Sequence, residues 1–233
     1  VMLSISDKGP QTADQQGIWQ RYNNSIYAIW TGTAPTGTTI TNYEYAVGTA
    51  ATAQQITNLI SWTTWYVQYT GAGVSSAAYV NCISTPNSNV RLNLEDAKTY
   101  YTGVRARSAV GSYSDIIYTN GITVDISSPL SNIPVAVGNS TGVPTGMFYT
   151  STGVVVWNWE ASTETVSGIE EYYIGISTEV SLNEIYITTV PGNQRTYTYY
   201  AGEDANPNYA RIKTKDIAGN IGNYSSKSTG IKV

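Results

Sequence analysis

The chain has 233 residues, 12 basic against 16 acidic, a net charge of −4 at neutral pH and no histidine. That balance argues against nucleic acid, which needs a basic footprint, and the missing histidine removes the commonest metal ligand and the usual general base. No run of 18 apolar residues reads as a membrane span, and the lone Cys82 cannot close an internal disulfide.

Only 12% of residues are charged, and 20 tyrosines stand against one phenylalanine. The polar surface must therefore be Thr, Ser, Asn, Gln and Tyr, a bias that suits pleated, half-buried strands. Residues 1–6 are apolar without a basic flank and do not read as a signal peptide. The chain is expected to be a mature product or a segment of something longer.

In chain order, 25–30 (Ser-Ile-Tyr-Ala-Ile-Trp) reads as a strand, a turn cluster covers 32–37, and 43–47 alternates again. A further turn falls at 86–89, then 90–94 (Val-Arg-Leu-Asn-Leu) alternates cleanly, and 95–97 reads as a short turn. Residues 104–107 (Val-Arg-Ala-Arg) place apolar side chains in and basic ones out. The segment 125–129 (Asp-Ile-Ser-Ser-Pro) reads as a linker short enough for a semi-rigid, end-to-end pair of domains. Beyond it, strands are expected at 153–159, 172–176, 195–199 and 212–215, with turns at 191–193 and 218–220. Tyr197 and Tyr199 should share one face. No segment carries a sustained helical period.

The two halves match. Trp30 and Trp159, and Thr49 and Thr178, are each separated by 129 positions, and Tyr43-Glu44-Tyr45 aligns with Tyr172-Tyr173-Ile174. Tyr101-Thr102-Gly103-Val104-Arg105-Ala106-Arg107 aligns with Tyr209-Ala210-Arg211-Ile212-Lys213-Thr214-Lys215, and Gly121-Ile122-Thr123-Val124 with Gly230-Ile231-Lys232-Val233. A repeat of this length is a duplicated domain, expected at 1–126 and 127–233.

These motifs resemble the fibronectin type III-like and immunoglobulin-like modules repeated along bacterial and archaeal surface or secreted proteins. Asp216-Ile217-Ala218-Gly219-Asn220 is similar to their Asp-x-Ala-Gly-Asn turn between the last two strands; the first repeat departs there with Ser108-Ala109-Val110-Gly111. The resemblance implies an all-β fold of two tandem fibronectin type III-like or immunoglobulin-like β-sandwich domains. Such modules serve as spacers, adhesins, filament subunits and enzyme accessories.

Between the aligned positions the first repeat is longer: 52 positions from Thr49 to Tyr101, against 31 from Thr178 to Tyr209. The surplus is expected to form an extra hairpin near 63–86, with arms at 65–69 and 77–83 and a turn at 71–73. Its aromatics, Trp65, Tyr66, Tyr69 and Tyr79, form a candidate platform for a sugar ring or a partner protein. The competing reading extends the sandwich and packs those rings on their own sheet. Trp62 ranks lower, because the family often has a core Trp there. An uncharged hairpin would also offer an edge for strand addition.

Carboxylate pairs occur at Glu160 and Glu164, Glu170 and Glu171, and Glu203 and Asp204. A glycosidase needs two carboxylates facing one cleft, and these are expected in turns or on opposite faces of a strand. Residues 203–206 or 216–220 could supply some calcium ligands, but no EF-hand pattern exists. No Gly-x-Ser-x-Gly elbow occurs. No metal, cofactor or catalytic residue is therefore expected. The stripe Arg91, Arg105 and Arg107 reads as a solvated face that could also meet acidic partners. Asn23, Asn139 and Asn223 head Asn-x-Ser/Thr triplets and are candidate glycosylation sites.

The expectation is a non-enzymatic, extracellular or cell-surface protein with a structural or adhesive role, such as a filament subunit. Its partners would be other copies of itself, other surface proteins or polysaccharide. The alternatives are a carbohydrate-binding accessory module of a secreted enzyme and an inert spacer.

Overall fold

A computed structural model describes residues 2–7, 18–66, 78–81, 92–137, 148–149, 153–178, 186–201 and 207–232. The chain separates into two compact units, Val1–Ile126 and Ser127–Val233. Among the described residues the regular elements are all strands. Among them, no helix is long and apolar enough to cross a membrane.

The first unit contains β1 (Met2–Asp7), β2 (Trp19–Gln20), β3 (Tyr27–Thr33), β4 (Ile40–Gly48), β5 (Ile60–Tyr66), β6 (Ala78–Asn81), β7 (Thr99–Ser108), β8 (Ile117–Tyr118) and β9 (Ile122–Val124). One sheet has the order β1-β3-β6, the other β2-β9-β7-β4-β5 with β8 attached to β7. Pairing is antiparallel except for β2, which runs parallel to β9. Alternation drives this arrangement. Ile26, Ala28 and Trp30 point from one sheet into the core, and Tyr43, Tyr45, Val104 and Ala106 point from the other.

The second unit contains β10 (Val135–Val137), β11 (Phe148–Tyr149), β12 (Val154–Asn158), β13 (Ile169–Ser177), β14 (Tyr186–Pro191), β15 (Thr196–Tyr200), β16 (Tyr209–Asp216) and β17 (Ile231–Lys232). Its sheets are β10-β12-β15 and β14-β13-β16, with β11 and β17 paired in parallel. An isolated bridge, Asn208 to Ile231, ties β17 to the β16 side. Trp157, Trp159, Tyr172, Ile174 and Ile212 fill the core, with Tyr197 and Tyr199 packed partly against it.

The duplication extends to detail. Trp30 meets Tyr43 edge to face at 6.2 Å and 64°; Trp159 meets Tyr172 at 5.6 Å and 64°. The tight turn after β7 matches the one after β16. In both, a glycine with positive φ (Gly111 at 88°, Gly219 at 93°) donates its amide to the residue three before it. A side-chain oxygen then accepts the amide one residue beyond the glycine: Ser108 Oγ from Ser112, and Asp216 Oδ1 from Asn220. The first repeat departs from the expected motif in sequence but keeps its geometry, because a serine hydroxyl can do the carboxylate's capping.

Two expectations are corrected. Among the described residues, the arms of the expected hairpin do not pair with each other: β5 pairs with β4 and β6 with β3, in different sheets. The second unit has the same two strands, since β14 pairs with β13 and β15 with β12. The surplus falls mostly outside the described residues, at 67–77 and 82–91. Residues 92–94 are not a strand either. Leu92 and Leu94 are buried all the same, held where the Leu94 amide donates to the Asn23 carbonyl at 2.8 Å. Just beyond, the Tyr100 hydroxyl accepts the Glu95 amide at 2.9 Å, fixing the entry into β7.

Candidate functional site

On β7 and β16 one set of side chains faces the core and the other faces outward, and the outward set carries every basic residue. In the first unit the Arg105 guanidinium lies 4.5 Å from the Trp62 ring centre and 4.3 Å from that of Tyr113. Its Nε donates to Glu44 Oε2 at 2.8 Å, and the Tyr113 hydroxyl donates to Glu44 Oε1 at 2.9 Å. A cation between two rings and a carboxylate is held in one orientation. Arg107 sits over the same Tyr113 at 5.6 Å. Trp62 is thus a half-buried outer-face residue, not a core tryptophan.

The second unit rebuilds this face with different chemistry. Register places Tyr173 opposite Lys213, as Glu44 stands opposite Arg105. The Lys213 amine lies 5.0 Å from both the Tyr173 and the Tyr224 rings, and Arg211 lies 4.1 Å from Tyr224. At the other end, Lys215 reaches Glu170 at 2.8 Å and Glu171 at 3.4 Å. Adjacent strand residues ordinarily face opposite ways. Here a register shift between Ile169 and Glu171 makes Glu170 a bulge, which lets both carboxylates reach one lysine. The expectation that they point apart is corrected on that ground. The first unit bulges at the same place, at Thr41, whose hydroxyl donates to the Arg107 carbonyl.

These contacts shift two titrations. The hydrogen bond to Glu170, followed by the pull of both carboxylates, raises Lys215 above its ordinary 10.5. Tyr173 rises above 10.0 through partial burial, and then because its hydroxyl donates to Glu171 Oε1, a bond that holds the proton.

The aromatic residues singled out from the sequence fall in separate places. Trp65 and Tyr66 lie on β5, opposite Tyr43 and Asn42, while Tyr79 lies on β6 opposite Ile29 in the other sheet. Tyr69 is outside the described residues, as are Cys82, Arg91, Asn139, Glu203 and Asp204. Asn23 is half-buried; Asn223 is exposed beside Tyr224. Glu160 is exposed and Glu164 Oε1 accepts the Val166 amide. Within the second unit, carboxylate oxygens of Glu164 and Asp216 lie within 4.8 Å. The buried Asp216 accepts from the Asn220 amide and side chain, so it closes a turn and does not face a cleft. Sequence reasoning missed Tyr113, Tyr173 and Tyr224 as partners of the basic stripe. Their signal was present: Tyr173 lies on the strand that pairs with Lys213, and Tyr113 and Tyr224 follow the strands that carry the basic residues.

No family model and no curated protein matches the chain. Solved structures similar to it include the FN1–FN3 domains of chicken CNTN1, at 14% identity and TM-score 0.43, covering 98% of this chain and 68% of that one. The fibronectin(III)-like modules of Clostridium thermocellum CbhA match at 11% and 0.44, covering 100% and 94%. Domains A168–A170 of titin match at 13% and 0.46, covering 97% and 65%. The strand order itself carries the assignment: a three-stranded sheet packed on a sheet centred on β4-β7 or β13-β16 is a fibronectin type III-like β-sandwich.

Proposed function

We propose that the chain is a non-catalytic, extracellular or cell-surface module with a structural or adhesive role. The observation that carries this reading is the pair of outward faces on β4-β7 and β13-β16. In both units, charged and aromatic side chains are locked onto each other across the strands, in contacts that include Arg105 with Trp62 and Lys213 with Tyr173. A rigid, patterned, open face suits contact with another macromolecule, because little side-chain freedom remains to be lost on binding. The absence of histidine from the whole sequence fits a role without acid–base chemistry.

Immunogold labelling of the cells that make the protein tests this reading. Label on the outer surface or on secreted polymer is expected; label confined to the cell interior contradicts it.

A further inference from the structure

We propose that two copies of this chain join edge to edge along β14 of the second unit. The strands run antiparallel, and a two-fold axis perpendicular to the sheet passes between Thr188 of one copy and Thr188 of the other. This inference goes beyond the proposed function and does not depend on it.

The backbone supplies the bonding groups. β13 and β14 pair without interruption from Glu171 with Pro191 to Ile176 with Tyr186. One step further along the same register, the Gly192 amide donates to the Glu170 carbonyl at 2.7 Å. Antiparallel pairs alternate between bonded and unbonded. Tyr186, Thr188 and Val190 therefore spend their backbone groups on β13, while the amides and carbonyls of Ile187 and Thr189 point to the other side. Among the described residues β14 has no neighbour on that side. Pro191 ends the run, since it has no amide and its carbonyl accepts from the Gln194 amide at 2.9 Å. The strand carries no charge, and the Ile187 and Thr189 side chains are exposed, Ile187 at 58%.

The neighbouring edges are treated differently. The free side of β16 is covered where the amides of Gly222, Ser225 and Ser228 donate to the carbonyls of Thr214, Ile212 and Ala210. On β15, which borders the other sheet, the Gln194 side chain already donates to the Thr196 carbonyl at 2.7 Å. In the first unit β5 stands where β14 does, but it advances one residue more than β4 between the Tyr45–Thr63 and Val47–Ile60 pairs. Such a bulge spoils an edge for further pairing. β14 has none.

The occupant follows from symmetry. With the axis at Thr188, Ile187 of each copy lies opposite Thr189 of the other, and each of these pairs exchanges both of its hydrogen bonds. Every outward amide and carbonyl of Ile187 and Thr189 is used, and the ladder stops where Pro191 has nothing to donate. The same pairs share the outer face, so the exposed Ile187 packs on a threonine across the seam. No charge enters the seam, although the chain carries a net −4. Each copy spends its one β14 edge, so the assembly closes at the dimer.

Sedimentation velocity on the full chain tests this. The unmodified chain shifts from its 25.2 kDa monomer towards twice that mass as concentration rises, and high salt does not reverse the shift, because no ion pair holds the seam. Thr189→Pro removes an amide that no bond within the chain uses, and Ile187→Lys places a charge at the seam. Each abolishes the shift, with an unchanged circular dichroism spectrum showing that the unit folds. Thr198→Pro, the same change on the outward side of β15, leaves the shift intact. The proposal is overturned if the unmodified chain stays monomeric, if either β14 variant associates as the unmodified chain does, if Thr198→Pro abolishes the shift, or if association runs past two copies. Surface labelling of a monomeric chain leaves the proposed function standing and removes this seam alone; a dimer confined to the cell interior does the reverse.

Discussion

Thr119 and Ser228 show how single residues hold the two copies to one geometry. The Thr119 hydroxyl accepts the Thr102 amide at 2.9 Å while its own amide donates to the Thr102 carbonyl. Ser228 does the same for Ala210, with 2.9 and 2.8 Å bonds. Thr119 continues the edge of β7 between β8 and β9, Ser228 closes the corresponding edge of β16, and each is buried. A valine at 119 or an alanine at 228 leaves a strand amide buried without an acceptor, which costs about 1–3 kcal/mol. Urea denaturation of Thr119→Val and Ser228→Ala is expected to show that loss, each in the unit that carries the change. A loss under a few tenths would mean that water replaces the hydroxyl.

At the scale of elements, the cross-strand contact of β13 with β16 makes a prediction about pH. Lys215 and Tyr173 both titrate above their ordinary values in the folded chain. A group whose folded pKa is raised contributes stability that is fully present below its unfolded pKa and lost as pH rises through the folded one. The second unit is therefore expected to weaken from about pH 10 upward. Glu170→Gln should flatten that loss, because it removes the leading cause of the Lys215 shift. Circular dichroism across an alkaline urea series checks both, and an unchanged slope in Glu170→Gln contradicts the assignment.

Much of this sheet was legible in the sequence. Val104 to Arg107 and Ile212 to Lys215 alternate in a period that only a half-buried strand satisfies. The duplicated Trp30–Tyr43 and Trp159–Tyr172 contacts followed from a constant spacing. What was not legible depended on register. A bulge adds one residue to one strand, so composition cannot show that Glu170 and Glu171 share Lys215. Leu92 and Leu94 alternate as a strand would, yet the Leu94 amide is committed to the Asn23 carbonyl and the next amide, that of Glu95, to the Tyr100 hydroxyl. The longer first repeat suggested an added element; the strands described on either side of it, β5 and β6, have counterparts in β14 and β15.

At the scale of the whole molecule, the two copies divide constancy and change between the two sides of one sheet. The inner side keeps its aromatic contact, its bulge and its turns. The outer side has changed: an arginine held by two rings and a glutamate in the first unit, Lys213 against two tyrosine rings and Lys215 against two glutamates in the second. The fold is the inherited part, and the outward charge pattern is where the copies acquired different surfaces. Hydrogen exchange followed by mass spectrometry, on Trp30→Ala and Trp159→Ala, tests this most directly. The account predicts that each change speeds exchange across the strands of the unit that carries it, since the two core contacts are equivalent. Strong loss of protection from one change and none from the other would contradict it.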